Sequence, residues 1–252
     1  MRHPTVVVTG ARGALGSAAV SALKQRGASV ITLTRPTFDL SSLSSVRAAA
    51  RELNRAGDHI DALLNIAAVF TTRYQKSADG FELMFATNHL GHFLLTNLLR
   101  DRLLGGGRVI TVAAPSTSRV EVDRLLDKER FSPTQSFGAS KAANLMFTFE
   151  LARRAHRWDV RGNAFHPGLL RSELMREAPP FLQFGLRLIS RDPTRAANDL
   201  VDLALSPAHA GTTGWLFKGV RHIDAPKSTL DVDQQGALWK RSAELAEMEG
   251  GF

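Results

Sequence analysis

Two short segments and one histidine pair in the 252-residue sequence combine residue types with a spacing that could do chemistry. The first segment, Thr9-Gly10-Ala11-Arg12-Gly13-Ala14-Leu15-Gly16, follows the apolar run Val6-Val7-Val8. Glycines at a strand-to-helix turn let the backbone approach a pyrophosphate, and the helix behind them supplies free N–H groups and partial positive charge. Gly10, Arg12, Gly13, Leu15 and Gly16 are therefore expected to hold a dinucleotide. The second segment, Thr34-Arg35-Pro36-Thr37, ends the next apolar run. A carboxylate there would bind the ribose 2′-hydroxyl of NAD(H); the chain offers Arg35 instead, which favours the 2′-phosphate of NADP(H). His89 and His92 have helical i, i+3 spacing, but no acidic ligand accompanies them, so no metal site is expected. His166 precedes a Pro-Gly turn, where a strand-end hydrogen bond accounts for it.

Residue counts exclude several other chemistries. Cysteine is absent, which removes disulfides, thiolate metal sites and a thiol nucleophile. Lys+Arg 32 against Asp+Glu 24 leaves +8, yet the basic residues are scattered and only one tyrosine is available for base stacking. No nucleic-acid partner is expected from that pattern. The longest leucine-rich stretch, Leu90 to Leu99, is about half a membrane span, and the apolar run near Met1 is too short for a signal peptide. No membrane span is expected, and the cytoplasm is the expected location.

These residues must be positioned by alternating strands and helices. Short β-branched runs at Val6–Val8, Ser29–Thr34, Ala62–Asn65, Arg108–Val112 and Val160–Phe165 alternate with segments of helical period. That pattern predicts an α/β fold, a doubly wound parallel sheet of Rossmann type with helices on both faces. Helices are expected over Gly10–Arg26, Ser42–Ala56, Gly80–Leu104, Ser136–His156 and Pro193–Leu205, with a last one at the C-terminus. Between Thr34 and Asp39 there is no room for a helical crossover, so the usual third strand and its preceding helix are expected to be missing. No linker, repeat or low-complexity tract interrupts residues 1–252, which read as one domain.

Taken together, these segments resemble the short-chain dehydrogenase/reductase family, and within it the retinol-dehydrogenase-like branch. The likeness rests on the glycine turn, Leu64-Asn65-Ile66-Ala67-Ala68, Ala78-Asp79-Gly80-Phe81-Glu82, and Asn88-His89-Leu90-Gly91-His92-Phe93 through Leu99. It continues in Ser140-Lys141-Ala142-Ala143-Asn144, His166-Pro167-Gly168 with Ser172, and Leu238-Trp239. The resemblance implies that Asp39 and Leu40 contact adenine and that Asn65 and Ala67 line the cofactor. It further implies that Lys141 binds the nicotinamide ribose, that Pro167 and Gly168 lie at the cofactor, and that Ser172 stands where a Thr usually holds the carboxamide.

The same resemblance exposes departures. The family's turn has Gly where this chain has Ala14; Gly13 and Gly16 instead fit the spacing of its extended branch. Family members use a Ser, a Tyr, a Lys four residues on, and an Asn. The Tyr moves the proton, the Lys lowers the Tyr pKa, and the Ser polarises the carbonyl oxygen. Asn88 and Lys141 are kept, but the Tyr position is Phe137 and the Ser position is Ala114. Ser116 or Thr117 on a shifted loop, or Lys141 itself, could supply the missing function. Ser140 is expected to pack, and Tyr74 falls in a loop that could rim the pocket or simply pack at the surface. The apolar residues within 173–192 resemble a substrate lid and imply a hydrophobic or polycyclic small molecule; a helix pair packed on the core is the alternative. A homodimer could form through the two long helices.

Three readings follow. The chain is an NADP(H)-binding enzyme of non-standard chemistry: a reduction needing no Tyr proton, or a dehydration, isomerisation or cyclisation. Alternatively it is a non-catalytic NADP(H) sensor or scaffold. Finally, Tyr→Phe with Ser→Ala is the pair of changes that would be chosen to silence a carbonyl reductase.

Overall fold

In the computed structural model, residues 3–168 and 192–252 are described. Along the chain run β1 (Thr5–Thr9), α1 (Ala14–Gln25), β2 (Ser29–Leu33), α2 (Leu43–Ala56), β3 (Ala62–Asn65) and α3 (Leu83–Phe85). A π-helical stretch (Ala86–Leu90), α4 (Gly91–Leu98), α5 (Arg100–Leu103), β4 (Arg108–Val112), α6 (Val122–Leu126), α7 (Pro133–Ala155) and β5 (Arg161–His166) follow. The last elements are α8 (Pro193–Leu205), β6 (Leu216–Lys218), β7 (Arg221–Ile223) and α9 (Val232–Leu245).

The strands form one sheet in the order β2-β1-β3-β4-β5-β6-β7. The first six are parallel and β7 closes the edge antiparallel to β6. β1 and β3 are buried along almost their whole length, as the inner strands of a sheet covered on both faces should be. Val7, Leu63 and Val109 face α2, α4 and α7, while Val8, Leu64 and Ile110 face α1 and α8. The chain leaves β1 towards β2 on one side, and β3 pairs on the other. The direction of winding therefore reverses at β1, which opens a crevice at the carboxyl ends of β1 and β3.

β2 is an edge strand, and its chain passes through residues 34–42 directly into α2. The missing βα unit is thus a structural fact. The segment expected as one helix over Gly80–Leu104 is broken into four pieces. The Glu82 carboxylate accepts the N–H groups of Met84 and Phe85, so the helix starts at Leu83. The backbone of Leu99 (φ −95°, ψ 6°) separates α4 from α5. β7 was not expected; three half-exposed residues carry no periodic signal. Of the lid expected at 173–192, residues 173–191 lie outside the described residues, as does Ser172.

α9 lies across α4 and α7. Trp239 packs against Phe93 and Phe147, with ring centroids 5.0 and 5.7 Å away, and the Arg154 guanidinium lies over its ring at 4.7 Å. Gly91 through Asn97 are all buried, as is every residue from Ala139 to Ala152. Among the described residues, no helix is long and apolar enough to cross a membrane.

Candidate active site

The glycine turn is built around Thr9 at the end of β1. Its hydroxyl accepts the N–H groups of Ile66 (2.9 Å) and Ala67 (3.2 Å), fixing the chain as it leaves β3. Gly10 sits at φ +70°, and a Cβ on it would lie 2.7 Å from the Cα of Ala67. A Cβ on Gly16 would run into the Gly10 carbonyl, whereas one on Gly13 would meet that oxygen at an ordinary 3.4 Å. Gly10 and Gly16 are therefore required by close backbone approach, and Gly13 is not. Ala14 opens α1, whose first turn has no side-chain cap and no acidic residue. Its N–H groups are left for an anion, which fits the phosphates of a dinucleotide. Gly16→Ala is expected to abolish nucleotide binding or folding, and Gly13→Ala to change nucleotide affinity less than about tenfold, or 1.4 kcal/mol. Titration of both variants with NADPH, alongside their circular dichroism, checks this.

Arg12 and Arg35 are both exposed at the mouth of the crevice. Asp39 is half-buried and caps its own turn, accepting the Ser41 N–H (2.8 Å) and hydroxyl (2.7 Å). Leu40 is buried against Gly91, where any side chain would collide with the Leu40 carbonyl. The Asn65 amide is 1% exposed and donates inward to Thr96 (3.1 Å) and Thr111 (3.4 Å). Asn65 thus ties β3 to α4 and β4 through its Nδ2, while its Oδ1 is buried without a partner. Ala67 stands beside Gly10, as a lining residue would. Pro167 and Gly168 follow β5 at the same end of the sheet.

Asn88 lies in the π-helical stretch, a local widening that is frequent at functional sites. Its Oδ1 accepts the Val69 N–H (2.8 Å), and its Nδ2 donates to the Val69 carbonyl (3.0 Å) and the Ser140 hydroxyl (3.0 Å). Ser140 in turn donates to the Phe137 carbonyl (2.7 Å). The serine expected merely to pack therefore joins Asn88 to the helix carrying Phe137 and Lys141. The Phe137 ring meets Phe70 edge-on at 5.6 Å, and the Lys141 ammonium lies 5.6 Å from its centre. Lys141 is 5% exposed and donates to the Val112 carbonyl at 3.4 Å, an acceptor shared with Asn144. Burial lowers its pKa from the ordinary 10.5 to about 8.

Ala114 follows β4 and presents only a methyl; its carbonyl accepts the Ser116 N–H (2.7 Å). The loop then folds onto α7. The Ser116 hydroxyl would stand 3.0 Å from a Cβ on Gly138, with Ser118 closer still, while Thr117 is exposed. Tyr74 is committed elsewhere, donating to the Leu126 carbonyl (3.0 Å) and meeting Phe131 edge-on. Burial, then Glu82 and Asp127, raise its pKa.

The two helical histidines serve the scaffold. The carbonyl of Asn88 can only accept, so His92 Nδ1 carries the proton (3.1 Å) and Nε2 accepts from Thr9 (2.9 Å). His92 therefore links the phosphate turn to Asn88, a connection missed in the sequence although the i, i+4 spacing was visible. His89 Nε2 bonds Ser242 of α9 (2.9 Å). No group of three His, Asp or Glu able to hold a metal occurs among the described residues.

Burial keeps both rings neutral, lowering His92 to about 3 and His89 to about 4. Unfolded histidine titrates near 6.5, so the unfolded chain takes up more protons below that pH. The stability these rings contribute is complete above about pH 6.5 and is lost as pH falls towards 4, by on the order of 3 kcal/mol or more. Denaturant unfolding across that window checks the slope, and His92→Asn is expected to flatten it.

The family model described as short chain dehydrogenase matches residues 4–182. Retinol dehydrogenase 14 of Mus musculus is 31% identical, covering 95% of this chain and 84% of that enzyme. Retinol dehydrogenase 13 of Homo sapiens is 31% identical, covering 97% of this chain and 85% of that enzyme. A crystal structure of an uncharacterized protein from Mycobacterium Paratuberculosis superposes with TM-score 0.81 at 30% identity, covering 99% of this chain and 95% of that one. The chain belongs to the short-chain dehydrogenase/reductase family, in its retinol-dehydrogenase-like branch.

Proposed function

We propose that this chain binds NADP(H) and acts on a hydrophobic alcohol or carbonyl compound by a route in which no tyrosine hydroxyl moves the proton. The observation that carries this reading is the Lys141 ammonium. It is buried at the carboxyl end of β4, its pKa is drawn down to about 8, and its neighbours are the Phe137 ring and the Val112 carbonyl. Holding such a cation away from water is costly, and a ribose hydroxyl pair is the kind of acceptor that would offset the cost.

The uncapped α1 turn would hold the pyrophosphate, Lys141 the nicotinamide ribose, and Asp39, Leu40 and Ala67 the adenine and cofactor walls. Pro167, Gly168 and Ser172 would complete the nicotinamide end. The nicotinamide, when bound, supplies or accepts hydride. Arg35, with Arg12 nearby in the sequence of the turn, supports the 2′-phosphate over the bare hydroxyl. The retinol dehydrogenase relatives, and the apolar residues within 173–192, support an apolar substrate such as a retinoid or a polycyclic ketone.

A non-catalytic sensor or scaffold is the second reading, favoured by the loss of both hydroxyls at Phe137 and Ala114. It shares the nucleotide site and differs in turnover. Energy transfer from tryptophan to bound NADPH or NADH measures the first step. NADPH is expected to bind at least about tenfold more tightly than NADH, and Arg35→Ser to erase the difference, since a charge-assisted hydrogen bond contributes about 1.5–3 kcal/mol. Equal affinities in the unmodified chain would remove the NADP(H) preference, and NADPH consumption with all-trans-retinal separates enzyme from sensor.

A further inference from the structure

One titratable side chain at the carboxyl end of the sheet is not used by the scaffold. Along β5, Ala164 packs with Ala113, Leu145 and Phe149 on the α7 side, and Phe165 packs on the α1 and α8 side. Side chains alternate along a strand, so His166 returns to the α7 side, the side that carries Lys141 and Phe137. The β4–β5 register ends with Val112 beside Phe165, so His166 lies level with Ala113, the residue before Ala114. The ring is half-buried and its Nδ1 is buried with no hydrogen-bond partner. A strand-end hydrogen bond therefore leaves this nitrogen unaccounted for. The other candidates are enclosed or committed. His92 is bonded at both ring nitrogens, and His89 is bonded through Nε2 and so fully buried that its unpartnered Nδ1 is shut away from any substrate. Tyr74 is bonded to Leu126, and both Glu82 oxygens cap α3.

We infer that His166 holds the proton for the substrate oxygen in this site, in place of the hydroxyl that Phe137 lacks. The inference rests on the oxidoreductase reading above. Reduction adds a hydride from the reduced nicotinamide to the carbonyl carbon, and a proton from the His166 imidazolium to the oxygen. The C=O π pair takes that proton, and the neutral ring is reprotonated from solvent. Alcohol oxidation reverses both transfers, with the neutral ring taking the hydroxyl proton. Lys218 of β6 is the charged group that faces His166 among the described residues. Burial and then Lys218 hold the imidazole below its ordinary range, so reduction should quicken as pH falls below about 6.5.

The test uses the full chain carrying 13Cε1-histidine. The His166 signal is the one lost in both His166→Gln and His166→Asn. In the complex with NADP+ and all-trans-retinal, which has no hydride to reduce the aldehyde, that signal is expected to move and its titration midpoint to shift. With NADPH, His166→Gln is expected to reduce retinal on the order of 10²-fold or more slowly and to lose the acid rise, with NADPH affinity unchanged. An unmoved signal in a complex that energy transfer shows has formed overturns the inference, as does a variant that reduces retinal within about twofold of the parent. A chain that binds no NADPH overturns the oxidoreductase reading and this inference with it.

Discussion

Phe137→Tyr combined with Ala114→Ser is expected to raise NADPH-dependent reduction of hydrophobic carbonyls by about 10²-fold or more, measured as absorbance loss at saturating NADPH. The scaffold for both hydroxyls is intact. The Phe137 ring already lies beside Phe70 and beneath Lys141, so a tyrosine there adds an oxygen to a side chain whose neighbours are in place. Asn88 and Ser140 fix the turn of α7 that carries it. Losing an oxyanion donor typically costs about 10²–10³ in rate and losing a general acid about 10²–10⁴, but residues acting together are not additive. The gain expected from the pair is accordingly that of one term rather than the product. A double variant that stays inert with NADPH bound would show that the pocket has diverged as well as the relay.

Lys141→Met is expected to stabilise the chain while destroying its function. A pKa lowered from 10.5 to about 8 means that the folded state holds the ammonium at a cost of about 3 kcal/mol at neutral pH. Because the folded pKa is depressed, this cost is full below about pH 8 and disappears as pH rises towards 10.5. Methionine fills a similar volume and removes the charge, at the loss of the Val112 contact and the attraction to the Phe137 ring. A net gain of about 1–3 kcal/mol in denaturant unfolding is expected, together with loss of NADPH binding by about tenfold or more. A destabilised Lys141→Met chain would show that Lys141 is a structural tether and not a functional cation held at a cost.

Much of this was legible in the sequence for physical reasons. The inner strands are nearly continuous apolar runs, and the five residues between Leu33 and Asp39 are too few for a crossover, so the trimmed sheet could be counted out of the sequence. The glycine turn was legible as a turn, but which glycines matter was not. That depends on Ala67 and the Gly10 carbonyl, which come close only once β1 and β3 pair. The π-helical stretch at Asn88 has no periodic signature. It is held by Val69, Ser140 and His92, partners chosen by tertiary packing. Asn65 illustrates the same limit: its place in a motif suggested a lining residue, and burial turned its amide inward to Thr96 and Thr111. α9, whose Trp239 was visible only as a motif residue, packs on Phe93 of α4 and Phe147 of α7, a contact that no local pattern signals.

The central claim is that the nucleotide site survives while the proton relay through position 137 is gone. Comparing NADPH affinity between the chain as it stands and the Phe137→Tyr, Ala114→Ser variant tests it most directly. Dissociation constants within about threefold of each other, less than 1 kcal/mol apart, are the predicted result. An unmodified chain that fails to bind NADPH, or binds it only once the two hydroxyls are restored, would contradict the account.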